Sequence, residues 1–222
     1  MWKFYQRKWY SFSKIILNKN NMKVALINSG ISNIKSVHNM IKMVGYESIF
    51  LNNENDYDKD ISHLIIPGIG SFDTGINNLK IKGFDQIIHD HISNEKPLLG
   101  ICLGMQLLTE GSEEGCLPGL SIINNSCKKF QPSKAFKVPH MGWNYVEPCN
   151  SSKLLANISK PKFYFVHSYF LSREIKYASS LCNYSVNFCS SFEKNNTFGV
   201  QFHPEKSHKY GFQLLKNFIN IK

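Results

Sequence analysis

A chain of 222 residues, 42% hydrophobic and 19% charged, can bury one sizeable core, which excludes a disordered polymer. No apolar run approaches the roughly 20 residues needed to span a bilayer, so no membrane protein is expected. The formal net charge of +10 invites nucleic acid or an acidic partner, but its distribution weakens that reading. Lys3, Arg7, Lys8, Lys14 and Lys19 give residues 1–21 a charge of +5 with no acid, half the excess in about a tenth of the chain. This basic, aromatic segment reads first as an extension outside the fold that precedes Met22, of the kind a misplaced start produces. A targeting segment and a nucleic-acid arm are the alternatives. The body, residues 22–222, reads as one α/β domain.

The apolar run Lys23–Asn28 is a buried strand, and Asn33–Val44 is a helix capped by Gly45. Strands follow at Glu47–Leu51 and His63–Ile66, the second stopped by Pro67-Gly68-Ile69-Gly70. A helix is expected over Phe84–Ile92, a strand at Leu98–Ile101 and a helix over Leu103–Glu110. Strands alternating with helices imply an open, mostly parallel sheet flanked by helices. Short β-like runs then occupy Ser121–Ile123, Asn144–Glu147, Phe163–Val166, Ala178–Tyr184 and Phe198–Phe202, before a closing helix at Lys209–Ile219. His89-Asp90-His91 looks like a ligand cluster. On a helix, positions i and i+2 point apart, so these residues read as surface. The six cysteines include no C-x-x-C pair and read as reduced thiols of a cytoplasmic protein.

Chemistry concentrates at Gly100-Ile101-Cys102-Leu103-Gly104, between a strand and a helix. Glycines at this spacing permit a sharp turn that lifts a nucleophile above the sheet, and a following helix start favours a thiolate. A thiolate needs a base, and the base an orienting group. Gly199-Val200-Gln201-Phe202-His203-Pro204-Glu205 supplies both, if an extended chain through Pro204 sets His203 and Glu205 on one face, roughly 6–7 Å apart. Leu103 N–H and the loop Gly68-Ile69-Gly70 are candidate donors to an oxyanion at the same sheet edge.

Taken together, GICLG with Gln106, the PGIG loop and GVQFHPE resemble the class I (triad) glutamine amidotransferases over about residues 23–222. That resemblance implies a flavodoxin-like fold, with Cys102 as nucleophile, His203 as base and acid, and Glu205 as orienter. It implies L-glutamine as substrate, positioned by Gly68, Gln106, His167, Ser168 and Tyr169, with no metal and no organic cofactor. Lys137–Asn144 (KVPHMGWN), Phe163–Tyr169 (FYFVHSY) and HPEKS are similar to the HisH family, the glutaminase subunits of imidazole glycerol phosphate synthase. This narrower likeness implies a heterodimer with a HisF-like (β/α)8 barrel cyclase and histidine biosynthesis. It also places His140, Met141, Trp143, Asn144 and Lys206 at the partner interface. Asn28-Ser29 and Lys137 depart from the family pattern, and Pro67–Gly75 with Ser112–Leu120 resemble paralogues that supply ammonia for surface-glycan amino sugars. A basic nucleic-acid-binding protein is the alternative from another class, for which the body shows no aromatic-lined basic groove.

Overall fold

The computed structural model describes residues 22–30, 33–149 and 151–222; the basic segment 1–21 lies outside them. The run after Met22 forms β1 (Lys23–Ile27), whose side chains alternate between two cores. Val24 and Leu26 face α1 (Ile34–Val44) and the closing helix α5 (His208–Ile219). Ala25 and Ile27 face α2 (Phe72–Ile81), α3 (Phe84–Ser93) and the short α4 (Leu103–Leu107). A sheet covered on both faces explains why these strands read as unbroken apolar runs.

The remaining strands on this side are β2 (Ser48–Leu51), β3 (Ile61–Gly68) and β4 (Leu98–Cys102). With β13 (Thr197–Val200) they pair in parallel in the order β2-β1-β3-β4-β13, which places β4 between β3 and β13. Beyond β13 the sheet continues antiparallel through β12 (Val186–Lys194), β10 (Tyr169–Ser172) and β6 (Ile123–Lys129), and β6 pairs in parallel with β5 (Thr109–Ser112). β11 (Ala178–Tyr184) pairs with β12 and with the two-residue β8 (Glu147–Pro148). A separate ribbon joins β7 (His140–Tyr145) to β9 (Lys162–His167).

Several expected boundaries shift for local reasons. α4 ends at Leu107 instead of continuing to Glu110, because Thr109 Oγ1 donates to the Gln106 carbonyl (2.7 Å) and the chain enters β5. The strand expected at Ser121–Ile123 begins only at Ile123, since Ser121 adopts φ 54° in a turn. The run Asn144–Glu147 divides between β7 and β8. α2, β5, β10 and β12 were not anticipated. α2 is obscured by Gly75, which keeps the helix close to Leu107, where an added Cβ would lie 3.0 Å from a methyl.

His89 and His91 do diverge on α3, but only His89 is exposed. His91 is fully buried, its ring held by the Tyr57 hydroxyl (2.9 Å) and the Pro97 carbonyl (3.0 Å). Burial pulls its pKa down to about 4, so His91 is a neutral core residue and not a surface group.

Candidate active site

The β4–α4 junction is built by close approach. A Cβ on Gly104 would collide with the Ile66 carbonyl, and one on Gly68 would lie 2.8 Å from Gly104 N. A Cβ on Gly100 would sit 2.6 Å from the Gly104 carbonyl oxygen. Three glycines therefore let the chain fold back over the β3–β4 pair, and the turn forces Cys102 to φ 53°, ψ −109°. A non-glycine residue held at positive φ stores strain, and here it lifts the sulfur off the sheet. Gly68 thus works as a strand residue beneath the elbow, paired with Cys102, and not as a flexible loop position. Gly70, at φ 102°, is where the loop after β3 uses glycine's conformational freedom.

The sulfur opens onto a cavity of about 350 Å³ at the C-terminal edge of the parallel strands. Its wall brings together Ile69, Gly70, Cys102, Leu103, Gln106, His167, Ser168, Tyr169 and His203, all expected from the sequence. Leu103 is the first residue of α4, so its N–H has no carbonyl four residues back to bond. Glu114, Pro139 and Val166 also line the cavity and were missed as site residues. Glu114 accepts from Phe72 N–H (2.9 Å), and burial raises its pKa. The available signal was the SEEG segment, whose second glutamate lines the cavity while the residue as a whole stays exposed.

His203 follows β13, but the chain does not stay extended. Pro204–Lys206 forms a 3₁₀ turn, with Lys206 N–H and the Ser207 hydroxyl both donating to the His203 carbonyl. His203 N–H donates to Tyr164 O (2.9 Å), anchoring the turn on β9. The turn achieves what extension was expected to do: Glu205 Oε1 meets His203 Nδ1 at 2.8 Å, with the two side chains 3% and 2% exposed. His203 Nε2 is buried without a hydrogen-bond partner among the described residues, and Cys102 is the charge that acts on it most strongly. Burial lowers the His203 pKa, but Cys102 and then Glu205 outweigh it and push it up to about 10. The site can hold an imidazolium between a thiolate and a carboxylate, the arrangement that covalent acyl transfer needs.

The expected interface residues divide. Met141 (62% exposed) and Trp143 (41%) project from the outer face of β7, joined there by Tyr145 (57%). Trp143 stacks on His208 (5.5 Å), and the exposed Lys206 lies over the Tyr164 ring (5.7 Å). Asn144 is partly exposed and donates to Asn183 O (2.9 Å). His140, at 3% exposure, faces the opposite way, because alternate residues of a strand point to opposite faces. It stacks on Tyr184 (4.0 Å) and meets His167 through Nδ1–Nε2 at 3.0 Å.

The profile of the family "Glutamine amidotransferase class-I" matches residues 25–221, and the chain belongs to that family. Among solved structures, PurLQS from Thermotoga maritima aligns over 90% of this chain and 98% of that one, at TM-score 0.68 and 17% identity. The glutaminase domain of Trypanosoma brucei CTPS aligns over 90% and 95%, at TM-score 0.61 and 16% identity. Both establish the fold. More specific are two curated relatives, each an imidazole glycerol phosphate synthase subunit HisH 2. The Methanococcus maripaludis protein is 48% identical over 199 residues, 88% of this chain and 98% of its own. The Pseudomonas aeruginosa protein is 40% identical over 201 residues, 89% of this chain and 99% of its own. A third, subunit HisH of Leptospira interrogans, is 37% identical over 204 residues, 89% of this chain and all of that one.

Proposed function

We propose that this chain is the glutaminase subunit of an imidazole glycerol phosphate synthase. It hydrolyses L-glutamine to glutamate and hands the ammonia to a HisF-like (β/α)8 cyclase subunit for histidine biosynthesis. The observation that carries this is the buried His203–Glu205 pair beside the strained Cys102 elbow, in a chain 48% identical to a HisH subunit. Cys102 attacks the side-chain amide carbon and forms a tetrahedral oxyanion, for which Leu103 N–H and the Ile69–Gly70 loop are the donors. The His203 imidazolium protonates the leaving nitrogen, and the C–N bond breaks to give ammonia and a γ-glutamyl thioester. Neutral His203 then takes a proton from water as water attacks the thioester, regenerating the sulfur and releasing glutamate. Gln106 and the wall His167–Tyr169 position the substrate, and the Glu114 carboxylate is placed to receive its α-ammonium group. No metal or organic cofactor enters this chemistry.

On this reading residues 22–222 act as one glutaminase domain. The apolar face Met141, Trp143 and Tyr145, with Lys206 beside the site, receives the cyclase. Ammonia then passes between subunits without meeting bulk water, where it would be protonated. The reaction belongs in the cytoplasm. All six cysteines are free thiols, in keeping with a reducing compartment.

The test is to co-express the full chain with a candidate cyclase and assay imidazole glycerol phosphate formation from glutamine and from ammonium salts. Both sources are expected to support synthesis. Glutamine hydrolysis without an imidazole product would point instead to the amino-sugar paralogue, and no hydrolysis in the complex would reject the reading.

A further inference from the structure

Behind the nucleophile lie two linked buried amides, Gln106 and Gln201, and the mechanism above uses only the first. Their anchor is the Tyr169 carbonyl, a backbone acceptor that accepts from His167 Nδ1–H (2.8 Å) and from the Gln106 side-chain amide (3.0 Å). Because a carbonyl can only accept, the Gln106 NH₂ end is fixed in place. That NH₂ carries a second proton, which goes to Gln201 Oε1 at 3.0 Å. The Gln201 amide is thereby oriented in turn: its oxygen faces Gln106, and its NH₂ must face the other way. What it faces is Cys102 Sγ, at 3.8 Å. Gln201 is fully buried, and its backbone N–H is held by Ser190 O (2.9 Å), so the side chain has no solvent to turn toward.

The sulfur's other polar neighbour on this side is the Val166 carbonyl, at 3.9 Å. The two contacts favour opposite protonation states. A carbonyl can accept from S–H but only repels S⁻, whereas an amide N–H stabilises S⁻. His203 Nε2 approaches from the cavity side and must let go of its proton during turnover. A donor that keeps its proton throughout would hold the sulfur in place while His203 changes state.

We propose that Gln201 is a further working residue of the site: it donates to the Cys102 sulfur, stabilising the thiolate and fixing its line of attack, in an orientation imposed by Gln106. This rests on the reading of Cys102 as the nucleophile. The group that donates is neutral. The titratable groups around the sulfur are His203 with Glu205 behind it, His167 on the β9 wall and Glu114 across the cavity.

The test is the pH dependence of Cys102 alkylation by iodoacetamide, read peptide by peptide by mass spectrometry, with exposed Cys116 as the internal control. Gln201→Met keeps the volume and removes the donor. Gln201→Glu keeps the shape and replaces the donor with a carboxylate. Gln106→Met leaves Gln201 in place but frees its orientation. The Cys102 midpoint is expected to rise by about one pH unit in Gln201→Met, which is a tenfold loss of thiolate below the midpoint. It should rise further in Gln201→Glu and less in Gln106→Met, while Cys116 stays unchanged. In the complex with the cyclase, Gln201→Met should lower glutaminase kcat about tenfold with KM held within about twofold. A purely packing role would move neither the midpoint nor its order across the series. An unchanged midpoint in any folded Gln201 variant, or an equal shift at Cys116, overturns the proposal. Alkylation requires no glutamine, so that failure is separable from failure of the nucleophile assignment, which would appear as glutamine hydrolysis surviving Cys102→Ala.

Discussion

Two groups of buried histidines meet at one cavity and hold different charge states. His203 is 1% exposed and His167 6%, so water withdraws from both to a similar degree. Yet His203 is driven up to about 10, while His167 falls to about 3 and its neighbour His140 to about 4. Burial acts with the same sign in all three, disfavouring the charged ring. The partners decide the outcome. His203 lies between the Cys102 sulfur and the Glu205 carboxylate, and both raise its pKa. His167 lies between a second imidazole and a backbone carbonyl, neither of which can repay the desolvation of a cation. One site thus contains a ring held as an acid and a ring pair held as neutral scaffold, and the scaffold fixes one wall of the cavity.

The most direct way to break this contrast is to remove the sulfur. Cys102→Ala should reduce glutaminase activity by about 10⁴-fold or more while ammonia-dependent synthesis by the complex continues. The same substitution should lower the His203 pKa, read as a downfield-to-upfield shift of its ring resonances at lower pH in an NMR titration. Loss of both synthetic activities would make Cys102 a structural residue. Glu205→Gln attacks the other side of the pair and should slow turnover by roughly 10³- to 10⁴-fold in a chain that still folds. It also has a stability signature. A raised folded pKa contributes stability that is complete below the unfolded value of 6.5 and is lost as pH rises through about 10. Glu205→Gln should therefore flatten the decline in unfolding free energy between pH 7 and 10, measured by denaturant titration. A decline as steep as in the parent chain would assign it to other groups.

The parallel half was legible because its signals are local. Each of β1, β3 and β4 is a largely apolar run with a glycine or proline close by, and Gly45 does cap its helix in the left-handed conformation. The cluster of Cys102, His203 and Glu205 was legible because two short segments carry it. What stayed hidden depends on contacts distant in sequence. Glu114 enters the cavity only because β5 and β6 turn its loop toward Phe72, 42 positions away. His140 resembled its exposed neighbours because the start of β7, which sets its facing, depends on pairing with β9. The approach of Glu205 to His203 was anticipated from strand geometry, yet a 3₁₀ turn delivers it, so a correct pairing rested on an incorrect local conformation.

The smallest expected effect addresses the neutral pair. His140→Phe preserves the stack on Tyr184 and Phe165 but removes the proton donated to His167 Nε2. At pH 7.5 the unpaired nitrogen should cost about 1–2 kcal/mol of stability. The sign of the pH dependence then separates this loss from a general one. A depressed folded pKa means that the unfolded chain takes up a proton near 6.5 that the folded chain refuses until about 4, so stability falls as pH drops through that window. The parent chain therefore has an acid-sensitive term, at most about 1.4 kcal/mol per pH unit for each proton, that the variant lacks at position 140. His63 and His91 are buried and shifted in the same direction, but they are common to both chains and cancel in the difference. The two stability curves should converge between pH 6.5 and 4. Parallel curves would mean that His140 already carries a proton in the native state, and the contrast between an acid and a neutral scaffold within one cavity would fail.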